Sequence, residues 1–351
     1  MGKIRVLNVD DSALMRQVLA SLLSKDPGIE VIGSAPDPYI AREKIKALNP
    51  DVITLDVEMP KMDGLTFLEK LMRGRPMPVV MVSSLTEAGC QTTLRALELG
   101  AVDYITKPKL DLREGMGEIA DDLIEKVKAA AVAKIRGIGN GTAHTAPQQA
   151  TPLSAAMIKT TDTIIAIGAS TGGTEAVKEV LEVLPPNTPP ILITQHMPEH
   201  FTKTWADRMN QLCRISVKEA EDGDSVLPGH ALIAPGSYHM TLVRNGARYS
   251  VRINQHPPVN RHRPSVDVMF DSVARYAGGN AVGIILTGMG GDGAKGLLAM
   301  KQAGAHTIAQ DEASCIVFGM PKEAIKLGGV DKILPLCDIA GAVLTQVSHH
   351  S

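Results

Sequence analysis

The chain has 351 residues, enough for two domains of ordinary size. Its 36 Lys and Arg residues nearly balance 38 Asp and Glu residues, so no strong nonspecific attraction to nucleic acid or to an anionic membrane is expected. No apolar run approaches the roughly 18 residues that a membrane-spanning helix needs, and the opening MGKIRVLNVDDS is not typical of a signal peptide. With four scattered cysteines and no C-x-x-C pair, these features predict a soluble cytoplasmic protein without membrane insertion.

The first part of the chain alternates short apolar runs with amphipathic stretches, which is typical of strands alternating with helices. The apolar runs predict strands over 4–10, 29–35, 51–57, 78–84 and 101–106. The amphipathic stretches predict helices over 12–25, 37–48, 64–73, 87–99 and 114–135. We therefore expect an α/β domain with a parallel five-stranded sheet.

The segment RGIGNGTAHTAPQQATPLSAA, residues 136–156, has no hydrophobic period and is predicted to be a linker. The expected organisation is a first domain over 4–122, a helix and flexible linker over 123–158, and a second domain over 159–348.

The second part restarts the alternation, with strands predicted over 163–168, 191–196, 281–288 and 306–310. Helices are predicted over 174–184, 199–212, 265–276, 293–303, 320–327 and 338–347. Residues 231–255 alternate with period 2 around Asn245-Gly246, a strong signal for a hairpin turn. A doubly wound α/β domain with a β-hairpin is therefore predicted.

Charged and hydroxyl side chains stand at the ends of four predicted strands of the first domain: Asp10 and Asp11, then Asp56, Ser83 and Lys107. Ligand sites of open parallel sheets form at the carboxyl ends of strands, so these residues are expected to meet. Three carboxylates repel one another unless a cation joins them, and this set suits Mg²⁺ together with phosphate oxygens. Helix capping would explain one acid, but not the residues at the other strand ends.

Residues 4–120 resemble the receiver domains of response regulators in the spacing of the double acid, of LDVEMPKMDG (55–64), of the serine and of the KP pair. The resemblance implies a flavodoxin-like fold in which a histidine kinase phosphorylates Asp56. The implied Mg²⁺ ligands are Asp10, Asp11, Asp56 and the backbone carbonyl of Glu58. The implied switch residues are Ser83, Tyr104 and Lys107.

The stretch IAIGASTGGTEA, residues 165–176, places Ser170 in a glycine-rich turn between a predicted strand and a predicted helix. Three interpretations compete for this turn: a loop that cradles phosphate, an elbow that exposes a nucleophilic serine, or a plain tight turn. The motif by itself does not decide among them.

A nucleophilic serine needs a base and an acid that orients the base. His196 ends the next strand, and adjacent parallel strands end side by side, so it is the expected base. His262, in the cationic loop NRHRPSVD, is the alternative base. Asp292, in the glycine-rich turn LTGMGGDG, is the candidate acid, although capping of the following helix would also explain it.

The motifs AIGASTGG, ITQHMP, NRHRPSVDV, LTGMGGDG and FGMP resemble those of the CheB family of chemotaxis protein-glutamate methylesterases. The resemblance covers essentially the whole chain except the linker. It implies hydrolysis of glutamate methyl esters, and deamidation of glutamines, on chemoreceptors. It also implies a Ser170–His196–Asp292 triad, oxyanion donors at the backbone N–H groups of Thr171 and Met289, and no cofactor for the esterase reaction.

Other functions of the second domain are disfavoured. A DNA-binding or other non-hydrolytic output domain fits poorly, because residues 159–351 hold 17 Lys and Arg against 18 Asp and Glu without a compact basic motif. An oxidoreductase would need a ribose-binding acid where ITQH stands. The pattern HMPEH (196–200) matches a zinc motif, but its first histidine closes a predicted strand.

We expect a hydrolase whose unphosphorylated receiver packs over the Ser170 cleft.

Overall fold

The computed structural model describes residues 2–108, 116–135 and 163–349. The chain divides into two compact units, residues 1–142 and 143–351, which are described separately below. The linker predicted over 136–156 lies outside the described residues, as does the predicted start of the second domain at residue 159. In the described part of the chain, no helix combines the length and the apolarity that crossing a bilayer requires.

The first unit is a parallel five-stranded sheet with the strand order β2-β1-β3-β4-β5, which confirms the flavodoxin-like prediction. Strands β3 and β4 are buried along their whole length, as expected for strands covered by helices on both faces. The strands are β1 (Ile4–Val9), β2 (Ile29–Ala35), β3 (Val52–Asp56), β4 (Val79–Ser83) and β5 (Asp103–Thr106), and the helices are α1 (Ala13–Leu23), α2 (Pro38–Leu48), α3 (Gly64–Gly74), α4 (Glu87–Glu98) and α5 (Met116–Val132).

The second unit is built on a seven-stranded parallel sheet and a separate two-stranded hairpin. Its strands are β6 (Ile164–Ala169), β7 (Ile191–Gln195), β8 (Ser216–Glu219), β9 (His230–Ile233), β10 (His239–Asn245), β11 (Arg248–Asn254), β12 (Ala281–Ile285), β13 (His306–Gln310) and β14 (Lys332–Leu334). Its helices are α6 (Gly173–Glu182), α7 (Phe201–Leu212), α8 (Val266–Tyr276), a 3₁₀ turn (Gly278–Asn280), α9 (Ala294–Gln302), α10 (Met320–Lys326) and α11 (Leu336–His349).

The order of the seven strands is β14-β13-β12-β6-β7-β9-β8, and every neighbouring pair is parallel. The chain moves from β6 to β7 on one side of the sheet and later returns to β12 on the other side. This reversal makes the carboxyl ends of β6, β7 and β12 a topological switch point, where doubly wound proteins bind ligands. Ser170 and His196 directly follow two of these strands.

The structure corrects the sequence prediction around the hairpin. The period-2 stretch 231–255 was expected to be one hairpin region, but its first strand, β9, joins the parallel sheet between β7 and β8. Only β10 and β11 pair as a hairpin, and Asn245 pairs with Arg248, so the two loop residues are Gly246 and Ala247. The short strands β8 and β14 were not predicted, because a strand of four or three residues carries too few positions for a period to show.

Candidate active site

Three carboxylates meet at the carboxyl ends of the strands of the first unit. Ligand oxygens of Asp10, Asp11 and Asp56 lie within 4.8 Å of one another. Lys107 Nζ is 2.8 Å from Asp56 Oδ1 and 4.0 Å from Asp10 Oδ2. The helix cap here is Ser12, whose Oγ accepts from the Met15 N–H, so the acids do not serve as the cap of α1.

The electrostatics of this cluster fit a divalent cation. Burial and the neighbouring Asp56 raise the pKa of Asp10 to about 6. Burial also raises the pKa of Asp56, against the opposing effect of Lys107. Among the described residues, Asp10 Oδ2 and Asp56 Oδ2 are buried without a hydrogen-bond donor. Buried carboxylate oxygens of this kind are the hard ligands that Mg²⁺ prefers.

Two further predicted receiver residues face helix α4 and helix α5. The Ser83 Oγ accepts from Thr93 Oγ1 at 2.7 Å and lies 3.3 Å from the Gly89 carbonyl. Tyr104 is 3% exposed, and Lys126 Nζ lies 5.2 Å from the centre of its ring. Glu58 lies next to the acid cluster, since its N–H donates to Asp56 Oδ1 at 3.1 Å.

In the second unit, Ser170 stands half-exposed in the turn between β6 and α6. Its N–H donates to the Thr287 carbonyl at 3.0 Å, which ties the turn to the end of β12. Gly172 has a φ of +77°, a conformation that glycine adopts at little cost. This sharp strand–turn–helix connection is the structural context of a nucleophilic elbow.

His196, the candidate base, is connected to the Ser170 turn through Gln195, the residue directly before it. Gln195 is 4% exposed, and its Nε2 donates to the carbonyls of Ser170, at 2.9 Å, and His196, at 3.3 Å. The His196 N–H donates to the Ala169 carbonyl at 3.2 Å. One side-chain amide therefore holds the ends of β6 and β7 in register.

Ser170, His196 and Asp292 form one chain of hydrogen bonds. His196 Nδ1 is 3.1 Å from Ser170 Oγ, and His196 Nε2 is 2.8 Å from Asp292 Oδ2. An ionised carboxylate only accepts, so the Nε2 nitrogen carries the proton and Nδ1 presents its lone pair to the serine. This ring orientation is the reverse of the serine-protease template, in which Nε2 faces the nucleophile.

Asp292 is almost completely enclosed and richly hydrogen-bonded. It is 2% exposed. Burial alone would raise its pKa, but the hydrogen bond and charge of His196, with donors from Asn260 and Val266, hold the pKa well below its usual range. Its Oδ1 accepts from Asn260 Nδ2 at 2.6 Å and Ser265 Oγ at 2.8 Å, and its Oδ2 accepts from the Val266 N–H at 2.6 Å.

Sequence reasoning missed the residues that support this acid. Asn260 Nδ2 also donates to Asp267 Oδ2 at 2.8 Å, so one amide bridges two buried carboxylates. Burial raises the pKa of Asp267, and the nearby Asp292 charge raises it further. The only sequence signal was the motif NRHRPSVDV, in which Asn260, Ser265 and Asp267 stand together.

Gly288, in the turn before Asp292, packs closely against the Ser170 turn. A Cβ at Gly288 would lie 2.8 Å from Ser170 Cβ and 2.3 Å from Met320 Sδ, so a residue without a side chain is needed at this position. Met289, one of the two expected oxyanion donors, directly follows Gly288. Within the described part of the chain, the Met289 N–H donates no hydrogen bond.

His262, the alternative base, and His200, of the HMPEH pattern, occupy distinct places. The ring of His262 stacks on the ring of His196, with 3.7 Å between centroids and 14° between planes. His200 precedes helix α7, and His196 follows a strand. The two histidines of the HMPEH pattern are therefore not on a helix, as the zinc motif requires.

Comparison with known proteins identifies the family. A model of the CheB methylesterase matches residues 165–343, and a response regulator receiver domain model matches residues 6–116. A protein-glutamate methylesterase/protein-glutamine glutaminase of Pectobacterium atrosepticum is 60% identical over 348 residues, which are 99% of this chain and 98% of the relative. The chain belongs to the CheB methylesterase family. A protein of the same name from Salmonella typhimurium is also 60% identical, over the same shares of both chains.

The CheB likeness extends to a solved structure. The catalytic domain of the Thermotoga maritima CheB methylesterase is 39% identical, with a TM-score of 0.52, and the match covers 53% of this chain and 99% of that domain. A receiver domain joined to a CheB methylesterase domain gives no support to the alternative of a non-hydrolytic output domain. The receiver domain also implies regulation by phosphorylation, and the CheB family makes this chain a hydrolase.

Proposed function

We propose that this chain removes methyl groups from glutamate methyl esters of chemoreceptors, and deamidates specific receptor glutamines, with Ser170, His196 and Asp292 as the catalytic triad. The observation that carries the proposal is the continuous hydrogen-bonded chain from Ser170 Oγ through His196 to Asp292. The names of the relatives, which combine a methylesterase with a glutaminase, support the two reactions.

The first half of the reaction makes an acyl-enzyme. Ser170 Oγ attacks the ester carbonyl carbon while its proton moves to His196 Nδ1. Asp292 stabilises the resulting imidazolium through the Nε2–H bond. The backbone N–H groups of Thr171 and Met289 bind the oxyanion, which collapses as methoxide takes the proton from Nδ1 and leaves as methanol.

The second half releases the product. Water attacks the acyl carbonyl and gives one proton to His196 Nδ1, which returns it to Ser170 Oγ as the glutamate leaves. A glutamine side chain follows the same path, with ammonia as the first leaving group. Both reactions are acyl transfers to water and need no cofactor.

For the receiver, we propose Asp56 as the phosphoacceptor and a chemotaxis histidine kinase as the phosphodonor. Asp10, Asp11, Asp56 and the Glu58 carbonyl would hold Mg²⁺, which neutralises charge on the incoming phosphoryl group. After transfer, Lys107 pairs with the phosphoryl oxygens. The side chains of Ser83 and Tyr104, the switch residues, then change conformation in response to the phosphoryl group. The proposed compartment is the cytoplasm, where receptor glutamates and the kinase are accessible.

The decisive experiment labels the purified chain with a serine-reactive phosphonate and follows methanol release from a methylated receptor fragment. Ser170→Ala should lose both the label and the turnover, whereas Ser216→Ala, at an exposed serine of β8, should keep both. His196→Ala and Asp292→Asn should lower turnover by ~10³–10⁴-fold. Normal turnover of the Ser170→Ala protein would refute covalent catalysis at this residue.

A further inference from the structure

The imidazole of His196 is held in its own plane by two contacts at opposite ring nitrogens. Nδ1 meets Ser170 Oγ at 3.1 Å, and Nε2 meets Asp292 Oδ2 at 2.8 Å. Two contacts of this kind restrain the ring within its plane but do not block rotation of the side chain about its Cα–Cβ and Cβ–Cγ bonds, which tilts the ring out of that plane. Such a tilt moves Nδ1 out of line with the serine hydroxyl, and hydrogen bonds weaken steeply with misalignment.

The ring of His262 restricts this tilt, because it lies flat against one face of His196. The centroids are 3.7 Å apart and the planes differ by 14°, so the two rings overlap at van der Waals distance. The side chain of His196 is 8% exposed, so little of its ring surface meets solvent.

A tight turn holds His262 in this place. Val259 and His262 exchange two backbone hydrogen bonds, of 3.1 and 2.9 Å, and the two residues between them, Asn260 and Arg261, have φ values of 52° and 70°. Two positive φ values inside a hydrogen-bonded pair are typical of a type I′ turn, whose backbone conformation is well defined. The adjacent Arg263 anchors the turn, since its carbonyl accepts from the Ser237 N–H at 3.1 Å.

The same turn serves the triad with two side chains. Asn260 donates to Asp292 Oδ1 at 2.6 Å, and His262 covers His196. The turn therefore contacts both the acid and the base, from a part of the chain that supplies neither.

We propose that His262 is a positioning residue for the hydrolysis: by stacking on His196 it fixes the plane of the base, so that the Nδ1 lone pair stays directed at Ser170 Oγ. This inference rests on the proposed Ser170–His196–Asp292 triad. His262 acts through the flat face of its ring, so its nitrogen atoms are not required for the role.

Two substitutions in the full-length chain separate the flat ring from its nitrogens. His262→Ala removes the stacked ring, and we expect turnover to fall about 10- to 100-fold with KM changed less than about twofold, because a misplaced base slows the chemical step alone. His262→Phe keeps a flat ring without titrating nitrogens and should restore most of the turnover. His230→Ala, at an exposed histidine of the same unit, is the matched control.

The chain offers an internal check on folding. Trp205 is the one tryptophan of the sequence and is 1% exposed in the second unit, so its fluorescence reports whether each variant is folded. Normal turnover of a folded His262→Ala protein would overturn the inference, as would equal loss in His262→Ala and His262→Phe, or a change confined to KM. If the unmodified chain neither reacts with the phosphonate nor releases methanol, the proposed function itself is wrong.

Discussion

Asp292 caps a helix to which it does not belong: its Oδ2 accepts a 2.6 Å hydrogen bond from the N–H of Val266, the first residue of α8. The residue at the N-cap position, Ser265, makes no capping bond to its own helix and donates instead to Asp292 Oδ1. An anionic side chain at a helix N-terminus is stabilised by the unpaired N–H groups there. The carboxylate that orients His196 therefore also completes the fold, and catalysis and stability are linked at this residue.

This linkage predicts an acid-dependent contribution of Asp292 to stability. Its pKa in the folded chain lies below the ordinary value of 3.8, so the ionised carboxylate stabilises the fold above about pH 4, and this stability is lost as the pH falls toward the folded pKa. At pH 7, Asp292→Asn should lower the free energy of unfolding by about 1–3 kcal/mol. Urea unfolding followed by Trp205 fluorescence measures this for the second unit.

The comparison between pH 7 and pH 3 is the stricter test. The unmodified chain should lose more of its free energy of unfolding over this interval than Asp292→Asn does, because the variant has no carboxylate to protonate at this position. Acids far from Asp292 contribute equally to both proteins; Asp267 is an exception, because the Asp292 charge raises its pKa. The same loss in both would show that Asp292 is not stabilised by the contacts described.

The side chain of Asn260 is predicted to contribute both to the rate of hydrolysis and to the free energy of unfolding. Its amide separates the carboxylates of Asp267 and Asp292, so Asn260→Ala leaves two buried carboxylates without that donor. We expect turnover to fall about 10- to 100-fold and the free energy of unfolding to fall by about 1–3 kcal/mol. Asn280→Ala, at an exposed asparagine, is the control. Methanol release and Trp205 fluorescence are the measurements, and a variant like the control in both would refute the role.

Removal of the divalent cation should prevent phosphorylation of Asp56. Asp10, Asp11 and Asp56 lie within 4.8 Å, and an incoming phosphoryl group adds further negative charge. A chelator should therefore lower the incorporation of phosphate from a small acyl phosphate. Lys107→Ala should also lower it, because this variant loses the contact to Asp56. Asp56→Asn should abolish it, and the exposed Lys3→Ala should not change it. Equal incorporation with and without the chelator would contradict a metal-dependent site.

The sequence-based hypothesis that the receiver limits access to Ser170 is tested by removing residues 1–150. The remaining fragment contains every residue matched by the CheB methylesterase model, and the corresponding domain of a relative has been solved alone. We expect it to release methanol about 10- to 100-fold faster than the unphosphorylated full chain, which corresponds to an inhibition of about 1.4–2.8 kcal/mol. It should not respond to phosphodonor or Mg²⁺. A fragment no faster than the full chain would exclude simple occlusion.

The sequence was sufficient to predict the two α/β folds, because strands buried on both faces read as continuous apolar runs and their alternation with helices is local information. It also placed Ser170 and His196 side by side, since both follow adjacent parallel strands. Three of the motifs that carried the family resemblance, AIGASTGG, ITQHMP and LTGMGGDG, stand at the ends of β6, β7 and β12, where the backbone leaves the sheet and side chains converge.

Only the tertiary structure decided how the side chains meet. Strand β9 joins the parallel sheet, although its alternating pattern suited a hairpin equally well, because pairing partners depend on long-range packing. The orientation of the His196 ring, the capping of α8 by Asp292 and the stacking of His262 join segments that are distant in sequence. Hydrophobic periodicity describes which face of an element is buried, but it carries no information about which loop lies above that face.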